Sequence, residues 1–402
     1  MQGFISIHQA AEQWGISERR VNQFCTEGRI AGARKFGRSW AIPALAQKPA
    51  DPRRLKKQAG PRTLSPIQSL SAPESTLMPL MNTAFTPGSC LKYIQSMESG
   101  PRQDIAMAEY HYFSGHAEEA AREAEAYLCS TDMPLKLSAC LIYAYSNLSI
   151  GQIQRASFAL REVENVLSAA QASPHLQAAA AFIAAAAAVL LHLPLPDKLP
   201  PTQDFLPLLP PGLRAFAMYV QAHYLYLQQQ YEKSAGVVDA TLAMHGQDYP
   251  IPAIYLHLVA VMDYMSLRNP ELAQQHLLAA WRLAQPDDLI EGFGEHHGLL
   301  GGMLEAVIKK GWPEDFKRII AITYRFSTGW RKIHNPQTGH DVADNLTTTE
   351  FAAAMLAARG WTNQEIGRHM NISPNTVKRY ISSALRKLGI ENRQNLKKYM
   401  LR

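Results

Sequence analysis

Residues 362–389 read TNQEIGRHMNISPNTVKRYISSALRKLG, and the capping signals in this stretch predict two helices joined by a tight turn. Thr362 and Glu365 form a capping box, which satisfies free backbone N–H groups at the start of the first helix. Ser373 followed by Pro374 is an N-cap with a first-turn proline, which indicates that the second helix begins there. The spacing of these signals is typical of a helix-turn-helix.

The second of these helices divides into two faces. Apolar residues recur on one side at helical spacing: Val377, Ile381, Ala384, Leu385 and Leu388. The opposite side carries polar and cationic residues: Asn375, Lys378, Arg379, Ser382 and Arg386. A helix that is packed on one flank and carries Lys, Arg and Asn on the other fits the major groove of DNA. We therefore expect the first four polar residues to read base edges and the fifth to add a DNA contact. The alternative is an ordinary solvated charged face.

The last 58 residues, Asn345 to Arg402, carry further motifs around these two helices. The motifs are Leu346-Thr-Thr-Thr-Glu350, Gly360, Asn363-Gln-Glu-Ile366, Ile372-Ser373, Asn375-Thr-Val-Lys378, Lys387-Leu-Gly389 and Arg393. Together they resemble the LuxR-type four-helix DNA-binding domain over the whole segment. Two positions depart from that family's pattern. Gly367 stands where alanine is usual and is expected to weaken its helix slightly, and Tyr380 stands where histidine is common but can still pack.

The resemblance implies roles for single residues and for the pairing of chains. Lys378 and Arg379 would reach bases or phosphates. The residues that would hold the DNA backbone are Thr362, Thr376 and Lys387. The last helix, from Asn392 to Met400, would help to pair two copies, since members of the family usually act as dimers on near-symmetric sites in double-stranded DNA.

Charge is unevenly distributed along the 402 residues, whose formal net charge is +6. The first 62 residues carry 12 basic and 4 acidic side chains, and the last 58 carry 10 basic and 3 acidic ones. The region between them carries 18 basic and 27 acidic side chains and is therefore net acidic. Two basic ends around an acidic centre are expected if nucleic acid contacts the ends of the chain and not its middle.

The basic N-terminal segment predicts a second helix-turn-helix. Ser6 and Gln9 make a capping box for its first helix, Gly15 turns the chain, and Ser17 caps a second helix that runs to about Glu27. The residues expected on the outward face of this second helix are polar or cationic and include Arg19, Asn22 and Gln23. This face is a second candidate for DNA contact.

A short hairpin around Gly37 is predicted after these two helices, with Trp40 and Ile42 packed on them. Three cations of the hairpin would contact phosphates: Arg34, Lys35 and Arg38. The stretch resembles the small winged helix-turn-helix of the excisionase and MerR families through Ser6-Ile-His-Gln-Ala-Ala11, Trp14-Gly-Ile-Ser17, Arg20-Val21 and the Gly28-Arg-Ile to Arg38-Ser-Trp wing. The resemblance implies DNA binding, to which Arg20 would also contribute. The alternative is a degenerate winged helix that binds protein.

The chain between the two ends predicts a tether followed by a series of helices. Residues 49–85 are rich in Pro, Ser, Arg and Lys and have no steady apolar period, which is typical of a flexible linker. Residues 86–335 read as helix after helix, with a motif around Gly115 that recurs 36 residues later around Gly151. Small residues at helix crossings with aromatic residues between them resemble tetratricopeptide repeats, which expose a surface for peptides, proteins or small ligands.

Two sets of residues in this middle region invite a site assignment, but packing is the favoured interpretation of both. Aromatic side chains at helical spacing are more often core than ligand pocket, and here they are Tyr219, His223, Tyr224, Tyr226 and Tyr231. The stretch Glu295-His296-His297 lacks the Cys or His spacing of a metal site, so we predict no bound metal.

Several functional classes are disfavoured by what the sequence lacks. No GxxxxGK[ST], GxSxG, HExxH or kinase signature occurs, so we predict neither catalysis nor a cofactor. The four cysteines have no CxxC spacing and are expected to be reduced and mostly buried. No secretory signal is evident, and the longest apolar run, Ala178 to Leu191, is too short to cross a membrane and predicts a buried helix. A cytoplasmic protein without membrane contact is therefore expected.

The predicted fold is mainly α and multidomain, with a tetratricopeptide-like solenoid flanked by two small helix-turn-helix domains. The predicted domains are a winged helix-turn-helix at 1–48, a flexible linker at 49–85, the helical solenoid at 86–335 and a LuxR-type helix-turn-helix at 345–402. The predicted function is a sequence-specific transcription regulator that binds double-stranded DNA as a homodimer, with the repeats open to a protein, peptide or small-molecule effector. Two alternatives remain: a protein-interaction scaffold with a single DNA-binding end, and an architectural or directionality factor for recombination.

Overall fold

The structure of this chain, a computed structural model, consists mostly of helices. It describes residues 4–48 except positions 28, 31, 38, 45 and 47, together with residues 76–168, 173–191, 194–245, 248–334 and 346–397. Among these residues one small three-stranded sheet accompanies the helices, so the prediction of a mainly α chain is confirmed. The chain divides into two compact units, Met1–Pro73 and Glu74–Arg402.

The smaller unit combines two helices with a three-stranded antiparallel sheet. The bounds of its elements are β1 Phe4–Ile5, α1 Ile7–Trp14, α2 Glu18–Thr26, β2 Arg34–Phe36 and β3 Ser39–Pro43. β3 lies in the middle of the sheet in the order β1-β3-β2, with Ile5 opposite Ile42 and Lys35 opposite Trp40. The predicted hairpin is therefore present, whereas β1 has only 2 residues and is too short for an alternating pattern to indicate it.

Local signals account for the boundaries of α1, whereas Ser17 stands at the N-cap position of α2 but its side chain forms no cap hydrogen bond. The Ser6 hydroxyl accepts a hydrogen bond from Gln9 N at 3.2 Å, and the Gln9 side chain accepts one from Ser6 N at 3.0 Å, so the predicted capping box is confirmed. Gly15 ends α1 with a φ of 60°, a left-handed conformation that glycine adopts without a Cβ clash. The core under the sheet contains Ala10, Ala11, Trp14, Val21, Phe24, Cys25, Ile30 and Ile42.

The larger unit contains a run of helices between residues 90 and 334, which we call the helical array. Their bounds are α3 Cys90–Ser96, α4 Pro101–Phe113, α5 Ala117–Glu125, α6 Met133–Ser149, α7 Ile153–Leu167, α8 Pro174–Leu190, α9 Thr202–Phe205, α10 Pro211–Leu227, α11 Tyr231–His245, α12 Pro250–Ser266, α13 Pro270–Ala284, α14 Glu291–Glu295, α15 Lys309–Gly311 and α16 Pro313–His334. A π-helical stretch, Leu304–Ile308, precedes α15. Three further helices follow in residues 346–397.

The array helices pack in chain order. From α3 to α8, and again from α10 to α13, each helix contacts the next one in the chain. Two contacts also join helices that are not neighbours in sequence: α4 packs against α6, and α10 packs against α12. The proline-rich segment before α10 forms the short helix α9 and a 3-10 turn at Leu206–Leu208. It does not separate α8 from α10, which pack directly. Near the end of the array, α16 returns to pack against α6 and α14. The helix pairs that the sequence indicates are present, and their membership of the tetratricopeptide class stays a prediction.

Alanine makes close packing possible in the middle of the array. Every residue from Ala178 to Val189 in α8 is buried, so the predicted buried helix is confirmed. Within the described ranges, no helix combines the length and the apolar character needed to cross a membrane. The four cysteines are free thiols, three of them buried and one, Cys129, exposed.

The packed region begins earlier than residue 85, where the sequence places the end of the tether. Leu77, Met78, Leu80 and Met81 are each no more than 4% exposed. Because these apolar side chains enter the array core, residues 77–81 belong to the folded unit and not to a flexible linker. Thr83 and Phe85 of the predicted tether are buried as well, and its residues 49–75 lie outside the described residues.

The aromatic residues and histidines that invite a site assignment are packed inside the array. Tyr219 is fully buried, and its ring centroid lies 5.1 Å from that of Tyr255. Nε2 of His296 lies 2.9 Å from the Tyr219 hydroxyl, whereas Nε2 of His297 lies 2.9 Å from Oε1 of Glu305. The two adjacent histidines therefore have separate hydrogen-bond partners. In the part of the chain that the structure describes, no three His, Cys, Asp or Glu side chains converge as a metal site requires.

Candidate nucleic-acid interface

Residues 346–397 form a set of short helices at the end of the larger unit, which we call the C-terminal module. Their bounds are α17 Thr348–Ala358, α18 Asn363–Met370 and α19 Pro374–Lys387, followed by a 3-10 turn at Arg393–Asn395. α19 packs against both α17 and α18. The start of the predicted last helix is described only as far as Lys397, and Leu396 within it is fully buried.

The predicted capping boxes position these helices. In the first box, Thr347 N donates to Oε2 of Glu350 at 2.8 Å, and in the second, Thr362 N donates to Oε2 of Glu365 at 2.6 Å. In both boxes the threonine hydroxyl accepts the reciprocal bond. The Ser373 hydroxyl accepts a hydrogen bond from the N–H three residues later at 3.0 Å, which caps α19. All three cap predictions are confirmed, and they fix where each helix begins.

The turn between α18 and α19 depends on close backbone approach. Asn371 has a φ of 56° and so takes the left-handed conformation that reverses the chain. A Cβ placed on Gly367 would lie 2.8 Å from the Ile372 carbonyl oxygen. The family that this segment resembles usually has alanine at this position. Glycine here therefore lets the turn close tightly against α18.

The two predicted faces of α19 are observed in the structure. Val377, Ile381 and Ala384 are buried against the other helices of the module. The polar residues named from the sequence are all exposed: Asn375, Lys378, Arg379, Ser382 and Arg386. Lys378 and Arg386 form no ion pair with any residue that the structure describes, and the Arg379 guanidinium lies 5.7 Å from the centroid of the Tyr380 ring. The cationic face is therefore open to a ligand.

The three residues expected to hold the DNA backbone have different environments. Thr362 is the N-cap of α18, whereas Thr376 lies in the first turn of α19, where its hydroxyl lies 2.8 Å from that of Ser373. Nζ of Lys387 forms an ion pair with Oε2 of Glu350 at 2.7 Å. Lys387 is thus held within the module, and only part of its side chain remains exposed.

The Glu350 carboxylate stabilises the module electrostatically. Burial acts to raise its pKa, but hydrogen bonds from Lys387 and from the Thr347 N–H outweigh burial and lower the pKa to about 2. One carboxylate thus completes a capping box and joins α17 to the end of α19. Its negative charge also offsets part of the positive charge of α19.

The module is fixed to the helical array through α17 and the turn after it. Nη2 of Arg359 donates to the Tyr226 hydroxyl at 2.9 Å and to the Leu299 carbonyl at 2.7 Å. Nη2 of Arg268 in the array donates to the Gly360 carbonyl at 3.0 Å. A Cβ on Gly298 would lie 2.6 Å from the Phe351 ring, so the array backbone approaches α17 closely at that glycine. This contact leaves the polar face of α19 exposed.

The smaller unit presents its own polar surface on α2. Arg19 and Asn22 are exposed, while Gln23 is exposed and also donates from Nε2 to Oε1 of Glu27 at 2.7 Å. Arg20 is only half-exposed, because Nη1 donates to Oε1 of Gln23 at 2.9 Å and the guanidinium stacks 5.0 Å from the Phe24 ring centroid. Arg20 therefore packs against the unit as well as extending its positive surface.

The hairpin of the smaller unit adds two described cations. Arg34 and Lys35 on β2 are exposed. Arg38, the third predicted phosphate contact, lies outside the described residues. The described part of the hairpin thus agrees with the predicted cationic surface on this unit.

The attachment of the module to the array was not evident from the sequence. Arg359 stands next to Gly360 in a stretch that reads as an ordinary helix end, and its partners lie 60 and 133 positions away. The glycine doublet Gly301-Gly302 is the one signal that points to it, because consecutive glycines mark backbone that another element approaches closely. Gly301 indeed lies against the Arg359 guanidinium.

Comparison with known proteins agrees with this geometry. Residues 344–400 match the family described as bacterial regulatory proteins, luxR family. A stretch of 54 residues is 41% identical to a protein from Hyphomicrobium methylovorum named "Probable transcriptional regulatory protein SgaR". That match covers 13% of this chain and 26% of the relative, so the chain spans about a quarter of that protein's length. No solved structure matches the chain. The C-terminal module is thus a luxR-family helix-turn-helix domain.

Proposed function

We propose that this protein is a sequence-specific transcription regulator that binds double-stranded DNA through the exposed face of α19. The observation that carries the proposal is the division of this helix, in which Val377 and Ile381 are buried while Lys378 and Arg379 are exposed. A helix held by its apolar side and cationic on the other has the form required to enter the major groove. The luxR-family match over the same residues supports this reading.

The residues of the module divide between base and backbone contacts in this proposal. Asn375 and Ser382 read base edges, and Lys378 and Arg379 reach bases or phosphates. Arg386 and Lys387 add positive charge at the end of the helix, although the Glu350 carboxylate reduces the contribution of Lys387. Thr362 is the N-cap of α18 and Thr376 lies in the first turn of α19, so both stand at helix N-termini, where the helix dipole attracts phosphates.

The Lys378→Ala substitution tests the role of α19 in the full-length protein. Sites are first selected from random double-stranded DNA by the wild-type chain, and each variant is then titrated against the selected site at several salt concentrations. We expect a loss of about tenfold or more in affinity, since a base contact contributes about 1–3 kcal/mol. If Lys378 contacts a phosphate instead, binding weakens equally on all sequences. The slope of the logarithm of the binding constant against the logarithm of the salt concentration then becomes shallower by about 1.

Lys310→Ala is the matched control for that experiment, because Lys310 is an exposed lysine on the helical array. Its removal changes the net charge of the protein by the same amount as the test substitution. We expect the control variant to retain the affinity of the wild type. An equal affinity for wild type and Lys378→Ala would exclude the proposed role of this residue.

We further propose that the smaller unit contacts a second DNA segment through α2 and its hairpin. Arg19, Asn22 and Arg34 are exposed there and supply both hydrogen-bonding groups and positive charge. Two DNA-binding units on one chain raise the local concentration for the second contact. The Arg19→Ala and Arg34→Ala double variant should then give a shorter footprint than the wild type, with Arg122→Ala on the array as the control.

The footprint also separates this proposal from its alternatives. A footprint that is unchanged in the double variant favours a protein-interaction scaffold with a single DNA-binding end. Bending of DNA by the protein, without a preferred sequence, favours an architectural role in recombination. A near-palindromic selected site and a dimeric mass on DNA are expected if two copies act together, as we propose, with the array available to an effector.

A further inference from the structure

Residues 76–82, the segment TLMPLMN, occupy the interior of the larger unit although they form neither helix nor strand. Residues 77–81 are all buried. Irregular segments usually run over a protein surface, because their backbone groups need water or other partners. Turn hydrogen bonds satisfy part of this backbone, such as the one from Asn82 N to the Met78 carbonyl oxygen at 3.0 Å, and side chains of the array supply further partners.

The array binds the backbone of this segment through two side chains. Oε2 and Oε1 of Glu109 on α4 accept hydrogen bonds from Leu80 N at 2.6 Å and Met81 N at 3.0 Å. The Ser138 hydroxyl on α6 accepts one from Met78 N at 2.8 Å. Its single proton has two acceptors within reach, the Thr76 carbonyl oxygen at 3.0 Å and the Pro134 carbonyl oxygen of its own helix at 2.9 Å. Glu109 is fully buried, which raises its pKa to about 8, and its carboxyl group bonds to no other residue that the structure describes. This carboxyl group therefore bonds to the segment alone.

A third helix of the array completes the site. Gly212 N at the start of α10 donates to Oδ1 of Asn82 at 2.9 Å. A Cβ on Gly212 would lie 2.7 Å from the Asn82 Cα and 2.8 Å from the Met81 carbonyl oxygen. The segment can thus approach α10 only because position 212 is glycine. We call the site formed by Glu109, Ser138 and Gly212 the segment site.

The side chains of the segment enter an apolar space that they do not fill completely. Met78 and Met81 line a cavity of about 30 Å³ together with Tyr112, Tyr145 and Tyr255. This lining is almost entirely apolar, and methionine adapts readily to such irregular space. The segment site therefore holds the backbone at fixed points and leaves beside the two methionines a void about the size of one water molecule.

We propose that the helical array is a peptide-binding receptor, and that its segment site is occupied by residues 76–82 of the same chain. The ligand class is a short apolar peptide whose backbone N–H groups face Glu109 and Ser138. A resident segment has a high effective concentration, so a free peptide of the same kind binds only when the resident is weakened. This proposal does not depend on the DNA-binding role of α19.

Binding of a labelled peptide in trans tests the proposal in the full-length protein. The probe is a fluorescent TLMPLMN peptide, measured by anisotropy against wild type and against a Met78→Asp, Met81→Asp double variant. The two charges weaken the resident segment, because they cannot enter the apolar cavity. We expect saturable binding to the double variant and binding at least tenfold weaker to the wild type. A scrambled peptide controls for nonspecific adhesion.

A third substitution assigns the binding to the segment site. Glu109→Gln keeps the shape of the side chain but replaces one acceptor oxygen by an N–H₂ group, which cannot accept either backbone N–H. Added to the double variant, it should weaken the peptide at least tenfold. Equal binding with and without this substitution would overturn the assignment, as would equal binding to wild type and double variant.

Folding of the double variant is measured by circular dichroism with and without the peptide. If the variant remains helical and binds no peptide, the proposal fails. If the variant loses helicity, excess peptide must restore it and raise its Tm, because ligand that binds the folded state stabilises it. Failure of the peptide to do so would show that residues 77–81 are only a part of the core.

Discussion

At the scale of single residues, the DNA-binding proposal depends on how each charged group of the C-terminal module is partnered. Lys378 and Arg386 form no ion pair with any described residue, whereas Lys387 is paired with Glu350 at 2.7 Å. Three cations on the same helix are thus not equivalent. Lys378 can contact a ligand without breaking an ion pair within the described protein, but Lys387 can contact DNA only if it shares or leaves the Glu350 carboxylate.

The depressed pKa of Glu350 makes the stability of the module dependent on pH. Its pKa of about 2 in the folded state lies below its ordinary value of 4.5. This stabilisation is therefore fully present above about pH 4.5 and is lost as the pH falls towards 2, and a shift of this size corresponds to about 3 kcal/mol. The Glu350→Gln substitution keeps a capping-box side chain but removes the charge. We expect a lower Tm at pH 7 and a weaker decrease of Tm between pH 4.5 and 2.5.

Glu391→Gln is the matched control, because Glu391 is an exposed carboxylate of the same module. It should leave both the Tm and its pH dependence close to those of the wild type. Thermal melts followed by circular dichroism at several pH values make the comparison. A Glu350→Gln variant with the pH dependence of the wild type would show that the Lys387 pair does not stabilise the fold.

At the scale of elements, the helix-turn-helix depends on one glycine that helix propensity alone would disfavour. Alanine stabilises a helix interior by about 1 kcal/mol relative to glycine. At Gly367, however, an added Cβ would lie 2.8 Å from a backbone carbonyl oxygen, which cannot move without moving the turn. Steric conflict therefore outweighs propensity at this position.

The Gly367→Ala substitution should consequently lower the Tm of the protein and weaken DNA binding, since the start of α19 must shift. Gly236→Ala provides the opposite case, because Gly236 lies on the exposed side of α11 and a Cβ there would meet nothing within 4 Å. That control should raise the Tm or leave it unchanged. If Gly367→Ala were the more stabilising of the two substitutions, the close approach of the turn would not be limiting.

Elements with local signals were predictable from the sequence, and those that depend on distant contacts were not. The caps at Thr347, Thr362 and Ser373 involve residues three positions apart, and the two faces of α19 follow from its own period. By contrast, the burial of residues 77–81 depends on partners 28 to 60 positions away, and the short apolar stretch LMPLM has no helical or strand period that would place it in the core. Strand β1 escaped prediction because its pairing with β3 bridges nearly forty residues.

At the scale of the whole molecule, the larger unit joins a DNA-binding module to a helical array through a defined contact. Arg359 contributes hydrogen bonds to Tyr226 and Leu299, and Arg268 bonds to the backbone of the turn after α17. The array therefore holds the module at α17 and at the turn after it.

The Arg359→Ala substitution tests whether this contact holds the module in place. Loss of its two hydrogen bonds should increase amide hydrogen exchange in residues 298–302 of the array and in α17, while the core of the array stays protected. Arg368→Ala is the control, because Arg368 is exposed on α18. Unchanged exchange at residues 298–302 in Arg359→Ala would mean that apolar packing alone fixes the module.

Affinity cleavage measures whether the exposed face of α19 lies on DNA. Cys129 is the exposed cysteine and the other three are buried, so a Cys129→Ser background with Arg386→Cys accepts an iron chelate at the end of α19. The same chelate on Lys310→Cys is the control. We predict strand cleavage confined to the selected DNA site from the label at 386 and much weaker cleavage from the label at 310. If the labelled protein binds this DNA but gives no localised cleavage from position 386, the exposed face of α19 does not lie on DNA.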